Sequence, residues 1–288
     1  LRTHLRGEVP APLDWLEAYT GMPCPFDKQD FIILPGFQFG GMEHVGATLY
    51  NDTQLFLGPN PTPDEELRRI QLIAHETAHA WFGNLVTMDW FDDVWTKEVF
   101  ANHFSAWITE PLFPSVNHKL QRLRTFFASA LSEDRTPGTN AIHQELDNLR
   151  NAGLIYGQII YNKAPVVMGK IIELMGEDAF REGIREYLRT YAYSNATWDD
   201  LIHILDRHTP EDLIAFNDAW VNRKGMPIIR FTPRGNTLEI RQKDRYAPGI
   251  VRPQRFAVTL AAEGQTDTTL EVNLRDSLVR LTLPFAPE

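Results

Sequence analysis

Cysteine is almost absent from this sequence: Cys24 is the only one in 288 residues. No internal disulfide can form, and a metal site built on cysteine thiolates is excluded. Cys24 itself reads as a small buried apolar residue, and so low a cysteine content fits a cytoplasmic setting. Positive charge is also in deficit, with 28 Lys and Arg against 38 Asp and Glu and a net charge of −10. That balance argues against nucleic acid as a partner. No run approaches the roughly eighteen apolar residues of a membrane span. There is no initiating methionine and no segment with the make-up of a signal peptide. Leu1 leads directly towards an amphipathic stretch (Leu13, Trp15, Leu16, Tyr19), so the chain reads as beginning inside a longer protein. Internal repeats are absent.

What is present is an ordinary apolar fraction, 43%, on a chain longer than one typical domain and able to bury a substantial core. Within it stands His75-Glu76-Thr77-Ala78-His79, followed after eighteen residues by Glu98. On a helix, positions i and i+4 share a face, so His75 and His79 can hold one ion. Glu76 lies beside them, placed to take a proton from a water activated there rather than to ligate. Glu98 adds a third ligand from a second helix. Three protein ligands with one position open describe a catalytic zinc site, one ion per chain, whereas structural sites close with four.

A five-residue pattern of this kind arises by chance in a chain of this length on the order of one time in a hundred, so its context decides. Thr62-Pro63-Asp64-Glu65 reads as a capping box with proline at the first helical position. Ile70, Ile73, Ala74, Thr77, Ala78 and Trp81 then repeat at helical spacing, and Gly83-Asn84 ends the run. The motif therefore sits in the last turns of a buried helix, predicted over 63–83.

These residues carry a family resemblance. The segment His75 to Met88 resembles the zinc-helix signature of the aminopeptidase N family of gluzincins. Trp95-Thr96-Lys97-Glu98-Val99-Phe100-Ala101 is similar to that family's segment bearing the glutamate ligand. Gly40-Gly41-Met42-Glu43-His44 resembles its GxMEN exopeptidase motif, and Tyr161-Asn162-Lys163 its Tyr-x-Lys-Gly segment. Two positions depart from the pattern: His44 replaces the closing asparagine, and Ala164 followed by Pro165 replaces the glycine. Pro165 suits a first helical turn.

The resemblance implies a zinc aminopeptidase with Glu76 as general base and Tyr161 stabilising the oxyanion. It also implies Glu43 as the acceptor of a free amino terminus, with Gly40, Gly41 and Met42 beside it and Phe39 lining the pocket for the first side chain. Peptides with a free N-terminus are the implied substrates. Alternatives are a bifunctional epoxide hydrolase, which needs a carboxylate near Tyr161 that residues 151–160 lack, a zinc endopeptidase, and a non-catalytic scaffold. Relatives of this kind carry a β-domain before the catalytic domain and a helical domain after, so further N- and C-terminal domains of the parent protein are implied as well.

The implied fold is α+β, with a thermolysin-like catalytic domain over 1–225 and a small β-sandwich over 226–288. Strands are predicted at 31–39, 45–50 and 55–57. Helices follow at 63–83, 94–109, 115–131, 165–175, 177–193, 198–207 and 211–222. After Gly225-Met226-Pro227 the period changes to two, with strands at 228–232, 237–242, 255–261, 268–272 and 279–283. Arg234-Gly235-Asn236 makes a hairpin turn. Asp92-Asp93 read as the cap of the helix bearing Glu98, Glu133-Asp134-Arg135 as a solvated loop, and Trp81, Trp90, Trp95 and Trp107 as core. His4, His103, His118, His143, His203 and His208 have no ligand-like spacing.

Overall fold

A computed structural model describes residues 10–155, 157–261 and 266–285; His4 lies outside them. Helix α1 (Pro10–Thr20) sets Leu16 and Tyr19 into the main core, where Trp15 stacks on Tyr19 at 4.8 Å and Tyr19 meets Phe104 edge-on. A small mixed sheet follows, of β1 (Asp30–Leu34), β2 (Gly41–Met42) and β3 (Ala47–Asn51), in the order β1-β3-β2. Strand β1 runs parallel to β3, and β2 runs antiparallel to it. The predicted strand 31–39 ends early at Leu34, because Pro35 has no N–H to donate and Gly36 takes φ 68°. The strand predicted at 55–57 does not form. Asn51 Oδ1 instead accepts from Thr53 N at 2.9 Å and caps a single helical turn, Asp52–Leu55.

Helix α2 (Pro63–Ala78) begins at the predicted capping box: Glu65 N donates to Thr62 Oγ1, and Thr62 N donates to Glu65 Oε2 at 2.7 Å. It ends at Ala78 rather than 83. Beyond it Asn84, Leu85 and Val86 donate to the carbonyls five residues back, and Gly83 turns the chain at φ 122°, which a side chain would resist. Strand β4 (Val86–Met88) then leads to α3 (Trp95–Thr109), which packs along α2. Asp92 and Asp93 do not cap α3, whose N-cap Val94 offers no side-chain bond. Asp93 accepts instead from Trp198 N, far along the chain, at 3.0 Å. Trp81 and Trp95 are core; Trp90 is 41% exposed, with its Nε1 donating to the Leu146 carbonyl at 2.8 Å.

The predicted helix 115–131 is found as α4 (His118–Arg122), a π-helical segment Leu123–Phe127, and α5 (Ala128–Asp134). A second π-helical segment, Ile159–Lys163, precedes α6 (Ala164–Met175). Pro165 accounts for it: an α-helical ladder would need its missing N–H to reach the Tyr161 carbonyl, and Ala164 N donates five residues back to Ile159 O instead. Helices α7 (Glu177–Tyr191), α8 (Trp198–Arg207) and α9 (Leu213–Trp220) complete the lobe, with β5 (Ser194–Ala196) pairing parallel to β4. Apolar residues from α1, α2, α3, α6, α7, α8 and α9 form one core. Cys24 is only half-buried against that core.

Beyond Gly225, β6 (Pro227–Arg234), β7 (Thr237–Asp244) and β10 (Leu278–Thr282) form one antiparallel sheet. Strands β8 (Gln254–Leu260) and β9 (Thr268–Leu274) form another. The two share a small core of Leu238, Ile240, Val272, Leu274 and Leu283. This is the two-sheet unit expected of a small sandwich. Arg252, fully buried, joins it to the helical lobe. Its Nε donates to Asp244 Oδ2 at 2.6 Å, and its other nitrogens donate to the carbonyls of Ala219 and Lys224. Asp134 is no solvated loop residue; it is buried and accepts from the buried Lys163 at 3.0 Å. Lys163 Nζ also donates to the Gly225 carbonyl at 2.9 Å.

Candidate active site

The last turn of α2 and the first of α3 bring three donor atoms to one point. The Nε2 atoms of His75 and His79 lie 3.2 Å apart, and Glu98 Oε2 is 3.4 Å from the first and 3.9 Å from the second. Each imidazole is oriented from its other nitrogen. His75 Nδ1 donates to Asn102 Oδ1 at 3.1 Å, and His79 Nδ1 donates to the Phe82 carbonyl at 3.0 Å. With the protons on Nδ1, both Nε2 lone pairs face each other and the carboxylate. Three acceptors with no proton to share among them are a set that could hold a cation.

Electrostatics follow from this crowding. Burial pulls His79 down to about 4, and the neighbouring His75 adds to the effect. Burial also opposes the charge on Glu98, but the two imidazoles and the Lys97 ammonium around it hold it far below the ordinary carboxylate range. Glu76 behaves oppositely: burial lifts it to about 7, helped by the negative charges of Glu43 and Glu98. Its Oε2 is buried without a hydrogen-bond partner. An enclosed, unsatisfied carboxylate is costly unless something else occupies the site with it.

Gly41, in β2, faces Glu76. A Cβ on Gly41 would fall 2.3 Å from Glu76 Oε1 and 2.4 Å from its carboxyl carbon. Glycine there is what lets the strand approach the helix. Glu43 follows at the end of β2, its carbonyl held by Asn84 Nδ2 at 2.8 Å. Burial would raise its pKa, but the charges of His79 and Lys97 and the hydrogen bond from Lys97 lower it. Tyr161 sits in the second π-helical segment and is 37% exposed. Tyr161 lines the same cavity of about 890 Å³ as Phe39, Gly40, Gly41, Met42, Glu43, His75, Glu76, His79 and Glu98. The site residues singled out in the sequence thus all line one cavity. His44 is exposed and turned to solvent.

Three residues of the site escaped the sequence reading. Asn102 stands one helical turn after Glu98, on the same face, which is the signal that could have found it. Asn84 lies just past the helix end, and Lys97 precedes Glu98. Among the described residues, His143 joins Asp92 and Asp93 in another acidic grouping, with His143 Nε2 3.8 Å from Asp92.

A mixed sheet laid against a helical pair thus brings two histidines and the carboxylates of Glu43, Glu76 and Glu98 into one cleft. Residues 7–220 match the peptidase family M1 domain, and the chain belongs to peptidase family M1. Among its relatives, the probable aminopeptidase 2 of Sulfurisphaera tokodaii is 29% identical over 92% of this chain and 34% of its own length. Aminopeptidase N of Lactococcus lactis is 31% identical over 84% of this chain and 30% of its own length. The puromycin-sensitive aminopeptidase of Caenorhabditis elegans is 32% identical over 77% of this chain and 24% of its own. The chain spans about a quarter to a third of the length of these relatives. Among the described residues, no helix is long and apolar enough to cross a membrane.

Proposed function

We propose that this chain is the catalytic part of a zinc-dependent aminopeptidase that removes N-terminal residues from peptides. The observation that carries the reading is the convergence of two imidazole lone pairs and a carboxylate oxygen beside a buried, unpaired Glu76. Two neutral imidazoles and one carboxylate suit zinc, and His75, His79 and Glu98 would hold it with a position left open. Zinc bound there would polarise a carbonyl and make water more acidic. Glu76 takes the proton of the attacking water and passes it to the leaving amine, and a carboxylate raised to about 7 is a stronger base than an ordinary one. Tyr161 donates its hydroxyl to the developing oxyanion.

Glu43 accepts the α-ammonium of the first residue, while Gly40, Gly41 and Met42 let the backbone close on it and Phe39 meets its side chain. A blocked or internal peptide would desolvate the Glu43 oxygen that Lys97 does not engage and bring no ammonium to meet it, which is what disfavours it. Residues 1–225 form the catalytic domain and 226–288 a β-sandwich domain, with further domains on both sides in the parent protein, as the length of the relatives suggests. The free thiol of Cys24 suits the reducing conditions of a cytoplasmic enzyme.

Metal analysis beside a panel of free and N-acetylated aminoacyl substrates tests this reading. About one zinc per chain, cleavage of free-amine substrates only, and a Glu76→Gln variant that keeps zinc but loses about a hundredfold to ten-thousandfold in turnover are expected. Equal cleavage of blocked peptides, or full activity without metal, refutes it.

A further inference from the structure

Lys97 precedes Glu98 on α3, and its largely buried side chain lies inside the cavity. Its Nζ contacts Glu43 Oε1 and also Glu98 Oε1, the latter at 3.2 Å. It thus engages one oxygen on each of two buried carboxylates. The oxygen of Glu98 that Lys97 leaves alone is the one facing His75 and His79. Glu43 likewise keeps one carboxylate oxygen that Lys97 does not use. The main chain of Glu43 is tied to the end of the zinc helix by Asn84, so both the backbone and the side chain of Glu43 are referenced to the metal centre.

Two carboxylates this close and this enclosed repel each other strongly in a medium of low dielectric. A lysine ammonium, with three donors and no acceptor, can satisfy both at once and hold them at a fixed separation. We propose that Lys97 is a positioning residue: an ionic strut that sets the distance between the amino-terminus acceptor Glu43 and the metal ligand Glu98. It thereby fixes how much peptide fits between the anchored ammonium and the scissile carbonyl. The proposal rests on the reading of Glu43 as the ammonium acceptor. The strut acts through its two partners and touches no reacting atom.

The test uses the zinc-loaded chain, calorimetry with leucine amide and with N-acetyl-leucine amide, and kinetics on aminoacyl substrates. Lys97→Met, which keeps the length and removes the charge, is expected to weaken leucine amide by about tenfold or more, the scale of coupling within one charge network. The loss should fall on KM more than on kcat and should spare the acetylated amide, whereas a merely structural defect would lower both together. Lys97→Arg should recover part of the affinity. In the double variant with Glu43→Gln, leucine amide should bind no worse than to Glu43→Gln alone. Unchanged or tighter binding of leucine amide to Lys97→Met overturns the proposal, tighter binding meaning that Lys97 competes with the substrate ammonium. Losses that simply add in the double variant overturn it as well. If Glu43→Gln by itself changes nothing, the reading of Glu43 fails, and the strut with it.

Discussion

Replacing Gly41 by alanine adds one methyl group where the sheet closes on Glu76 of α2. The new carbon would lie 2.3 Å from Glu76 Oε1 and 2.6 Å from its Cγ, where ordinary contact begins about 1 Å further out. Strand β2 cannot easily retreat, because it is paired with β3 at Gly41 and Met42 and the Glu43 carbonyl is pinned by Asn84. Glu76 must therefore give way by about 1 Å, inside a site where its own residue is 6% exposed. A misplacement of that size in a reacting group costs on the order of a hundredfold in rate, or about 2.7 kcal/mol. The three atoms nearest the added methyl all belong to Glu76, not to His75, His79 or Glu98, so zinc content should stay at about one per chain. Steady-state kinetics on a free aminoacyl anilide, with atomic absorption and a thermal melt on the same samples, measure all three quantities. Gly169→Ala, at a helical glycine with nothing within 4 Å, serves as the control and should keep full turnover. Gly41→Ala with unchanged kcat, or with the metal lost, would refute the steric argument.

Asn102→Ala removes the acceptor that orients His75 and should weaken zinc about tenfold to a hundredfold in chelator competition; an unchanged affinity would mean that His75 is held by its backbone alone. His103 is kept neutral, its pKa lowered to about 3 by burial and then by the charge of Arg122, with Nε2 enclosed and unpartnered. The unfolded chain protonates this residue near 6.5, so between 6.5 and 3 it binds more protons than the fold and stability declines as pH falls. Urea melts should show the protein losing about 2 kcal/mol more than His103→Phe between pH 6.5 and 5, and parallel curves would show that His103 is free to protonate in the fold. Asp134→Ala leaves the Lys163 ammonium buried without its counter-ion and should cost about 3–5 kcal/mol in the same assay. A loss under about 1 kcal/mol would mean that water reaches the lysine.

Elements with strong local signals were legible in the sequence to within a residue or two. The capping box at Thr62 places the start of α2, though not its end, and the alternation after Gly225 places all five strands of the C-terminal part. Errors fell where tertiary contacts outweigh local pattern. Asp93 has the chemistry of a helix cap, but Trp198 N, more than a hundred residues away, claims its carboxylate. Asp134 sits in a charged run that looks solvated, yet a lysine buried from the next segment makes it a core residue. The apolar run 55–57 resembles a strand, and one asparagine side chain turns it into a helical loop. Of the site, motif spacing reveals the groups that would touch metal and substrate, because their chemistry constrains residue type. The groups that aim them, Asn102, Asn84 and Lys97, do so by proximity that spacing does not encode.

The change of period at Gly225 marks a boundary in composition, and Arg252 and Lys163 show that it is not a boundary in mechanics. Arg252, with no exposed surface, ties Asp244 of β7 to carbonyls at the end of the helical lobe. Lys163 grips the Gly225 carbonyl from a position two residues beyond Tyr161, in the same π-helical segment. A cut after residue 225 would strip Asp244 and Arg252 from the lobe and free the hinge glycine that Lys163 holds. Lengthening or shortening the 225–227 link by one residue would draw on that grip and pull at the tyrosine's segment. The C-terminal sheets are therefore anchored, through Gly225 and Lys163, to the same segment that carries Tyr161.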